Sequence, residues 1–572
     1  MSSFRGFIYD AFDYYLSDIE KVTSSNTKLR EFSHSDKKND LTKDDFIKIY
    51  RRPEHITDLM LWPPNIFAVL ATFLDKRGGY RLLISGEDDI NWKREDVKTV
   101  IKIAEHWKNV LFSPPEKVVS DSYDFILQSL QNVFKYEYLN KDITVLLTDS
   151  QFIHGVLMLT MASDESFNSK NFQDASPDCL ANEVLRQLSL IYQPAEYQLS
   201  FTDRHFGSVH QKSTVCQSGV SLNSMSHFIA LIKPEITLKT VERSGEKSDE
   251  VMNLLILPWP LKIDMVSFQP LKDQRMLEME NDFGFFSYQP SNPIQLNDIV
   301  DYVRRATDLI GHIDLLVLPE CALEQEDATS LAKLLFEDSK NMKYQCPAFI
   351  TGTYETKKTG YSRNQLKMFV PPDLKDKEDD FGIPNILTQN KHHRWYLDRP
   401  QIFNYKLGSY LSPSRKWWEY IEVSERSLIN YRCHMQSIQI IPLICEDLAR
   451  QDPVAPSVRA LGPSLIVALL LDGAQLKNRW PGRYASFLSE DPGSGVLTIT
   501  PLGMTLRADG TGFPPSRTIA FWSEPGTYRE LSLDNDTNAM ILTLEKKKVT
   551  QWTADGRRHS RVSLHYSGNV CL

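Results

Sequence analysis

Three residues in the second half of the chain have the side chains needed for nucleophilic catalysis at carbon. Glu320 ends H-I-D-L-L-V-L-P-E, Lys406 lies in F-N-Y-K-L-G-S-Y-L, and Cys445 ends I-Q-I-I-P-L-I-C. A thiol attacks a carbonyl or nitrile carbon as its thiolate. A nearby ammonium group favours the thiolate and stabilises the developing oxyanion. A carboxylate can carry the proton between thiol, leaving amine and water. Together the three residues predict a thiol-dependent hydrolase.

Each of these residues also has an ordinary structural interpretation when it is taken alone. A glutamate after a strand is usually a solvated turn residue, and a lysine in an apolar stretch usually extends its ammonium group to water. A buried cysteine is usually an inert small hydrophobe, and we expect Cys321, beside Glu320, to be one. The catalytic prediction therefore depends on all three being brought together.

The residues around Cys445 predict how its backbone is arranged. The sequence E-D-L-A-R after it predicts a short helix that ends before Pro453. The backbone amide of Glu446 would then point at the oxyanion, aided by the helix dipole. Both carboxylates, of Glu446 and Asp447, suit the positive end of such a helix. Pro442 lacks an N–H group inside the preceding strand and predicts an edge strand or a bulge.

An alternation of strands and helices after residue 250 would position these residues. Apolar runs without polar alternation predict strands that are buried on both faces, as in a covered sheet. These runs lie at residues 313–318, 438–444 and 465–471. Reactive groups in such a sheet gather where strands end. Residues 371–390 and 412–431 are polar or charge-rich and are predicted to be surface insertions that shape the site.

The chain before residue 250 has a different character. Apolar residues at helical spacing predict helices at residues 95–111, 122–134 and 179–191. The charged segment 240–250 is the predicted boundary. We therefore expect a mainly helical or mixed α+β region over residues 1–250, with a binding, regulatory or assembly role. An α/β catalytic domain is expected over residues 251–572.

The order and surroundings of the three residues resemble the nitrilase superfamily of carbon–nitrogen hydrolases. D-L-L-V-L-P-E-C-A-L resembles its glutamate motif, Y-K-L-G-S-Y-L its lysine motif and L-I-C-E-D-L-A-R its cysteine elbow. The triplet C-E-D is similar to the glutaminase domains of glutamine-dependent NAD synthetases. The resemblance covers roughly residues 258–555.

This resemblance implies an αββα sandwich whose subunits pair through helices into homo-oligomers. It implies that Glu320, Lys406 and Cys445 are catalytic, with no cofactor and no metal. Many members carry a second active-site glutamate after the lysine, and Glu419 is the candidate here. The expected substrate is a small molecule with a non-peptide C–N bond: an amide, an N-carbamoyl compound or a glutamine-type amide.

Bulk composition excludes several other classes. The chain has 572 residues, 41% apolar content and a net charge of −9 without a strongly basic patch, so nucleic acid is not indicated as a partner. Seven unclustered cysteines indicate neither a disulfide framework nor a zinc site, and they favour a reducing compartment. The longest apolar runs are far shorter than the ~20 residues of a membrane span. A cytoplasmic protein is expected.

A second hypothesis comes from a different class. The nitrilase-like domain would be an oligomerising scaffold or a sensor, and residues 1–250 would recognise a protein partner, by analogy with fusions in bacterial defence proteins. A scaffold would not require a glutamate, a lysine and a cysteine together, so the intact set favours catalysis. The charge of the substrate stays open, because four arginines could each hold a carboxylate: Arg363, Arg394, Arg415 and Arg483.

Overall fold

The chain divides into two compact units. The computed structural model describes residues 3–13, 56–76, 78–84, 91–114, 120–168, 175–217, 219–243, 250–271, 282–355, 361–372, 385–433, 437–508 and 514–572. The first unit joins residues 1–235 to 459–462 and 550–560, and the second contains the rest. The division therefore falls before the predicted boundary at 240–250. Part of that segment is a strand of the second unit, and residues 244–249 lie outside the described residues.

The first unit is mainly helical, and the three helices predicted from apolar spacing are confirmed. Its core is formed by apolar faces of these helices, with Phe73 and Phe152 at its centre. The elements are α1 (Phe4–Ala11), α2 (Ile56–Leu59), α3 (Pro63–Asp75), α4 (Arg94–Phe112), α5 (Ser120–Phe134), α6 (Tyr136–Leu139), α7 (Ile143–Leu146), α8 (Ser150–Ser166), α9 (Leu180–Ile191) and α10 (Leu222–Met225), with the antiparallel strands β1 (Ser208–Gln211) and β2 (Ile229–Ile232).

A buried charged cluster joins residues 550–560 to the helices of the first unit. The guanidinium group of Arg557 lies 2.9 Å from both Asp164 and Glu165 and 2.8 Å from Asp555. Nearby, burial lowers the pKa of His227 to about 2, and its electrostatic interactions with His559, Arg557 and Lys212 add to that shift. His227 is therefore neutral in the folded protein at neutral pH.

The second unit contains the remaining strands and helices. They are β3 (Thr237–Arg243), β4 (Val251–Ile256), β5 (Phe268–Pro270), β6 (Phe283–Tyr288), α11 (Leu296–Ile310), β7 (Leu315–Val317), β8 (Leu323–Glu324), α12 (Gln325–Met342), β9 (Ala348–Glu355), β10 (Arg363–Val370), β11 (Asn385–Asn390), β12 (Tyr396–Leu397), α13 (Arg399–Asn404), β13 (Lys416–Glu419), β14 (Ser427–Cys433), β15 (Ile438–Ile444), α14 (Val454–Leu461, whose end belongs to the first unit), β16 (Leu465–Leu469), α15 (Trp480–Glu490), β17 (Gly495–Ile499), α16 (Leu502–Thr505), β18 (Thr518–Glu524), β19 (Thr527–Ser532), β20 (Met540–Trp552) and β21 (Arg558–Cys571). No helix in the described part of the chain is long and apolar enough to cross a membrane.

Two large sheets form the centre of the second unit. One has the order β11-β10-β9-β7-β4-β20-β21, with β8 beside β9, and the other has the order β19-β18-β17-β16-β15-β14-β3. Side chains from both, such as Leu254 and Val467, share one core. The outer face of the first sheet packs on α11 and α12, and α15 packs on β17 and β18 of the second. The predicted α/β class and αββα sandwich are confirmed.

Pro442 lies in β15, an interior strand, so the prediction of an edge strand is wrong. Pro442 is in register with Val467 of β16, whereas the pairing of β15 with β14 ends at Ile440. The side-chain amide of Gln389 fills the gap beyond that point. It donates to the Pro442 carbonyl at 3.3 Å and accepts from the amide of Ile429 at 2.8 Å. The missing proline N–H therefore falls where the two strands have already separated.

The two predicted insertions contain strands of the fold. Strand β11 occupies the end of residues 371–390 and pairs with β10 along its length. Residues 373–384 of that segment lie outside the described residues. Within residues 412–431, β13 joins a four-stranded sheet of order β12-β13-β6-β5. Strand β14, which begins in the same segment, belongs to the large sheet that contains β15 and β16. Describing both segments as surface insertions is therefore wrong for these strands.

Candidate active site

Glu320 lies just beyond β7, where its carboxylate is almost completely buried, at 1% exposure. Its Oε1 accepts hydrogen bonds from Asn364 Nδ2 at 2.7 Å and from Lys391 Nζ at 2.8 Å. Its Oε2 is buried and has no hydrogen-bond partner among the described residues. The backbone is held by a close approach to Gly352, where an added Cβ would lie 2.4 Å from the Glu320 Cα. Only glycine fits there.

Lys391 is the cation of this site. It directly follows β11 and is fully buried, and its Nζ also lies 2.7 Å from Glu419 Oε2. Asn364 Nδ2 likewise bridges the two carboxylates, because it donates to Glu419 Oε1 at 2.7 Å. Burial opposes the charge of Lys391, but the carboxylates of Glu320 and Glu419 outweigh it and hold the lysine pKa well above its usual value. The ammonium group therefore stays charged.

The structure does not bring Lys406 to this cluster, so the predicted position of the catalytic lysine is wrong. Lys406 follows α13 in a turn with φ of +51°, and its side chain is exposed. Its neighbours Tyr405 and Leu407 point into the core instead and are buried. The buried pair anchors the turn, and the residue between them faces outward. Lys391, and not Lys406, is the lysine that contacts Glu320 and Glu419.

Glu419 reaches the cluster from the four-stranded sheet. It is buried at the end of β13, whose pairing with β6 runs in register from Lys416 to Glu419. The backbone amide of Trp395 donates to Glu419 Oε2 at 3.1 Å, and the amide of Glu419 donates to the Trp395 carbonyl at 2.9 Å. The structure thus places the candidate second glutamate beside Glu320, with Lys391 between them.

Cys445 lies at the end of β15 and is 2% exposed. Its φ of +44° is in the left-handed region, which costs energy for a residue with a Cβ and recurs at functional sites. The helix predicted after it is a single 3₁₀ turn, Cys445–Leu448. Burial holds the pKa of the thiol well above its usual value; Glu320 raises it further, and Lys391 lowers it. The resting thiol is therefore protonated at neutral pH.

Asp447 links the turn after Cys445 to the segment that carries Lys391. Both of its carboxylate oxygens lie 3.2 Å from the donating backbone amide of His392. The imidazole Nδ1 of His392 lies 3.1 Å from the same carboxylate, and its Nε2 lies 2.8 Å from the Ser427 carbonyl. Asp447 lies in the first turn after Cys445, as expected, and its carboxylate also contacts the neighbouring segment. It fixes the residue next to Lys391.

Glu446 has a more peripheral side chain. Its carboxylate pairs with Arg450 at 2.7 Å, toward the surface. The use of its backbone amide as an oxyanion donor stays a prediction. Across the described ranges, no three His, Cys, Asp or Glu side chains are arranged to hold a metal ion.

The arrangement brings together a carboxylate, a thiol and a fixed cation. Burial raises the pKa of Glu320, Lys391 opposes that shift, and Glu419 adds to it. Because its Oε2 is unpaired, Glu320 can accept a proton, and because its pKa is raised it holds that proton more readily than a surface carboxylate. Lys391 is placed to stabilise negative charge near the Cys445 sulfur.

Sequence reasoning missed Lys391 and Asn364 as members of the site. The signal for Lys391 was present in N-I-L-T-Q-N-K, a strand-like segment that ends on a lysine just as two other segments end on Glu320 and Cys445. It was hidden because this segment follows a polar stretch and was assigned to an insertion. Asn364 is the second residue of β10 and has no comparable signal.

Comparisons with known proteins give structural matches only. No protein-family model and no curated protein matches the chain. An amidase from Nesterenkonia sp. is similar over 53% of this chain and 94% of its own, at 12% identity and a TM-score of 0.30. Saccharomyces cerevisiae Nit3, a member of branch 10 of the nitrilase superfamily, matches 52% of this chain and 93% of its own, at 13% identity and a TM-score of 0.28. Glutamine-dependent NAD+ synthetase from Acinetobacter baumannii matches 52% of this chain and 46% of its own, at 12% identity and a TM-score of 0.30. The solved structures similar to this chain thus include the nitrilase superfamily, which the sequence motifs indicate.

Proposed function

We propose that the second unit hydrolyses a non-peptide C–N bond of an amide-type small molecule through an acyl-enzyme on Cys445. The observation that carries this proposal is the buried Lys391 ammonium group between Glu320 and Glu419. Cys445 lies near enough that Lys391 and Glu320 both shift the pKa of its thiol. Buried ion pairs add little net stability, because each charge loses its hydration. A scaffold or sensor would not require such a cluster or its unpaired carboxylate oxygen. The presence of both therefore favours catalysis.

In the first half-reaction Cys445 forms a bond to the amide carbon. Its thiol proton passes to Glu320 Oε2, the unpaired oxygen, while the sulfur attacks the carbonyl. The oxyanion that forms is stabilised by the Lys391 ammonium group and by the backbone amide of Glu446. Glu320 then gives the proton to the nitrogen, the C–N bond breaks, and ammonia or an amine leaves a thioester on Cys445.

In the second half-reaction water replaces the amine. Glu320, again a carboxylate, takes a proton from the water as it attacks the thioester carbon. The C–S bond breaks, the carboxylic acid leaves, and the proton returns to the Cys445 sulfur. One amide and one water thus give one acid and one amine. Glu419 and Asn364 act as positioning residues, since each contacts a group that also holds Glu320.

Release of ammonia tests this function. The full-length protein is incubated with a panel of primary amides and N-carbamoyl compounds, and ammonia is measured for wild type, Cys445→Ala and Cys571→Ser. Cys571 is the matched control, because it is a free thiol far along the chain on β21. We expect activity in wild type and Cys571→Ser and none in Cys445→Ala. Ammonia release that survives Cys445→Ala would contradict the proposal.

The assembly and the role of the N-terminal region also stay proposals. We propose that the protein forms homo-oligomers and that residues 1–250 serve binding, regulation or assembly. Sedimentation equilibrium of the full-length protein tests the first of these. A single species with the 65.8 kDa mass of one chain at all concentrations would contradict it.

A further inference from the structure

A third buried carboxylate lies at the same edge of the sheet as the thiol. Strands β15 and β16 are parallel, with Ile444 in register with Leu469. Cys445 directly follows β15, and Asp472 lies three residues beyond the end of β16 and is only 4% exposed. The parallel pairing sends both residues out of the same end of the sheet. Burial raises the pKa of Cys445 most, and Glu320 and Asp472 are among the charges that add to the shift.

One oxygen of Asp472 is held and the other is free. Asp472 Oδ1 accepts from the Tyr405 hydroxyl and from Arg479 Nη2, the latter at 2.8 Å. The backbone amide of Asp472 donates to Thr500 Oγ1 at 3.0 Å, so the residue is fixed at both ends. Asp472 Oδ2 is buried and makes no hydrogen bond to any described residue. An unpaired buried carboxylate oxygen is costly, so this oxygen is a ready acceptor for a ligand.

The charges around the thiol sum to a negative value. The carboxylates of Glu320, Glu446 and Asp472 act on the thiol, Glu419 lies beside Glu320, and the buried Asp447 is two residues from Cys445. Three cations, Lys391, Arg450 and Arg479, contact members of this set. With the thiol protonated, carboxylates outnumber these cations in a largely buried region, where screening by water and salt is weak. Such a site disfavours an anionic substrate and favours a cationic one.

The arginines that could have held a substrate carboxylate have other surroundings. Arg363 pairs with Glu355 at 3.5 Å, and Arg394 donates to a backbone carbonyl at 3.3 Å. Arg415 and Arg483 have exposed side chains. The four arginines therefore supply no argument for an anionic substrate.

We propose that Asp472 Oδ2 accepts a hydrogen bond from a protonated amine on the non-reacting end of the substrate, which makes the substrate class cationic amides. This inference rests on the proposed function, because it assigns the specificity of the same site. Tyr405 and Arg479 are positioning residues, since they hold the other oxygen of Asp472 and aim the free one.

Thiol reagents of different charge test the site without any hydrolysis. Methanethiosulfonates transfer a substituted thiol to cysteine: the Cys445 sulfur forms a disulfide and methanesulfinate leaves. The rate of Cys445 modification is measured by peptide mapping for the 2-aminoethyl reagent, a primary ammonium, and for the 2-sulfonatoethyl reagent, an anion. Each rate is divided by the rate at which the same reagent modifies a short peptide that contains one accessible cysteine. The ratio of the two corrected rates reports charge preference, and the intrinsic reactivity of the thiol cancels.

The wild-type ratio should favour the ammonium reagent, and Asp472→Asn should lower it about tenfold, as for loss of one charge-assisted hydrogen bond. Arg479→Gln should raise the ratio, because it leaves Asp472 uncompensated. Asp308→Asn removes a charge from the exposed face of α11 and should change nothing. An unchanged ratio in Asp472→Asn, a preference for the sulfonate, or no modification of Cys445 by either reagent would overturn the proposal. The Arg479→Gln result decides the matter if Asp472→Asn does not fold.

Amide substrates then separate this inference from the proposed function. Ammonia release is compared for β-alaninamide, butyramide and succinamate, whose ends are cationic, neutral and anionic. We expect the highest kcat/KM for the cation, and a loss of that preference in Asp472→Asn. Charge-selective thiol modification without any amide hydrolysis would refute the proposed function and leave the Asp472 site standing. Hydrolysis that prefers the anion would refute the Asp472 site and leave the function standing.

Discussion

Replacement of Lys391 by methionine should reduce the reactivity of Cys445 sharply. Methionine preserves most of the volume of the lysine stem but removes the ammonium group that lies 2.8 Å from Glu320 and 2.7 Å from Glu419. Lys391 is the group that lowers the pKa of Cys445 against burial and against Glu320. Without it, the thiolate would form beside two uncompensated carboxylates.

The size of the effect follows from the charge that is lost. A nearby opposite charge shifts a pKa by about 1–3 units, and a thiol with a pKa above the solution pH reacts in proportion to its thiolate fraction. Alkylation of Cys445 should therefore slow by about tenfold to a thousandfold. Removing one partner of a buried pair also costs about 3–5 kcal/mol of unfolding free energy. The double variant Lys391→Met/Glu419→Gln keeps the charge balance and should recover much of that stability without recovering the reactivity.

The assay is brief treatment with iodoacetamide at pH 7, followed by intact-mass measurement and peptide mapping of all seven cysteines. The matched control is Lys406→Met, because Lys406 is exposed and lies in the motif that resembles the family's lysine motif. We expect measurable labelling of Cys445 at the same rate in wild type and Lys406→Met, and much slower labelling of Cys445 in both Lys391 variants. Equal labelling in Lys391→Met and wild type, with both folded, would refute the reasoning, as would slowing in Lys406→Met alone.

Three further predictions concern positioning and stability. Asp447→Ala should slow the alkylation of Cys445, because the carboxylate holds the residue after Lys391 through hydrogen bonds at 3.2 Å. Asp447→Asn should slow it less. The same peptide-mapping assay measures both rates, and equal rates in the two variants would contradict this prediction. Arg557→Met should lower the unfolding free energy in denaturant by about 3–5 kcal/mol, because the buried carboxylates of Asp164 and Asp555 lose their cationic partner, whereas Arg558→Met at the surface should have little effect. Burial lowers the pKa of His227 from 6.5 to about 2, so its contribution to stability is present above pH 6.5 and is lost as the pH falls toward 2. Between pH 7 and pH 5 the first unit should lose about 2 kcal/mol from this residue, and His227→Gln should flatten that dependence in denaturant titrations.

Much of the second unit could be predicted because burial on both faces leaves a simple pattern. The apolar runs at 438–444 and 465–471 became β15 and β16, and the segment at 313–318 contains β7. Glu320 and Cys445 lie just beyond the ends of such strands, as expected, and the structure shows that both are buried. The three helices of the first unit were likewise predictable from one-sided apolar spacing.

Local sequence alone could not identify the lysine that contacts Glu320. One lysine, Lys406, has the expected motif, and another, Lys391, has the expected position at the end of a strand. Lys406 has the motif-like neighbours, but its flanking Tyr405 and Leu407 are the residues that pack inward, and they turn it out. Lys391 has the right position at a strand end, but β11 reads as a continuation of a polar segment. Only the pairing of β11 with β10, which sets Lys391 beside Asn364, decides between them.

The contributions of Asn364, Asp447 and Asp472 were also beyond sequence reasoning. Each is a polar residue whose role comes from a partner distant in the chain: Asn364 bridges to Glu419, Asp447 to His392, and Asp472 to Tyr405. Spacing along the chain carries no information about such pairs. The first compact unit leaves the N-terminal segment at Glu235, before the predicted boundary, because β3 pairs with β14 of the second unit.

The most direct test of the central claim is the capture of an acyl group on Cys445. p-Nitrophenyl acetate needs no proton for its leaving group. Glu320→Gln also removes a charge that raises the pKa of the Cys445 thiol, so the thiol can lose its proton to solvent and be acetylated slowly. Deacylation, which needs the Glu320 base, should be slower still. We expect one nitrophenolate released per chain of Glu320→Gln, with the acetyl group mapped to the peptide that contains Cys445, and continuous turnover in wild type. Acetylation spread over other cysteines or lysines, or no adduct on Cys445, would contradict the assignment of this residue as the nucleophile.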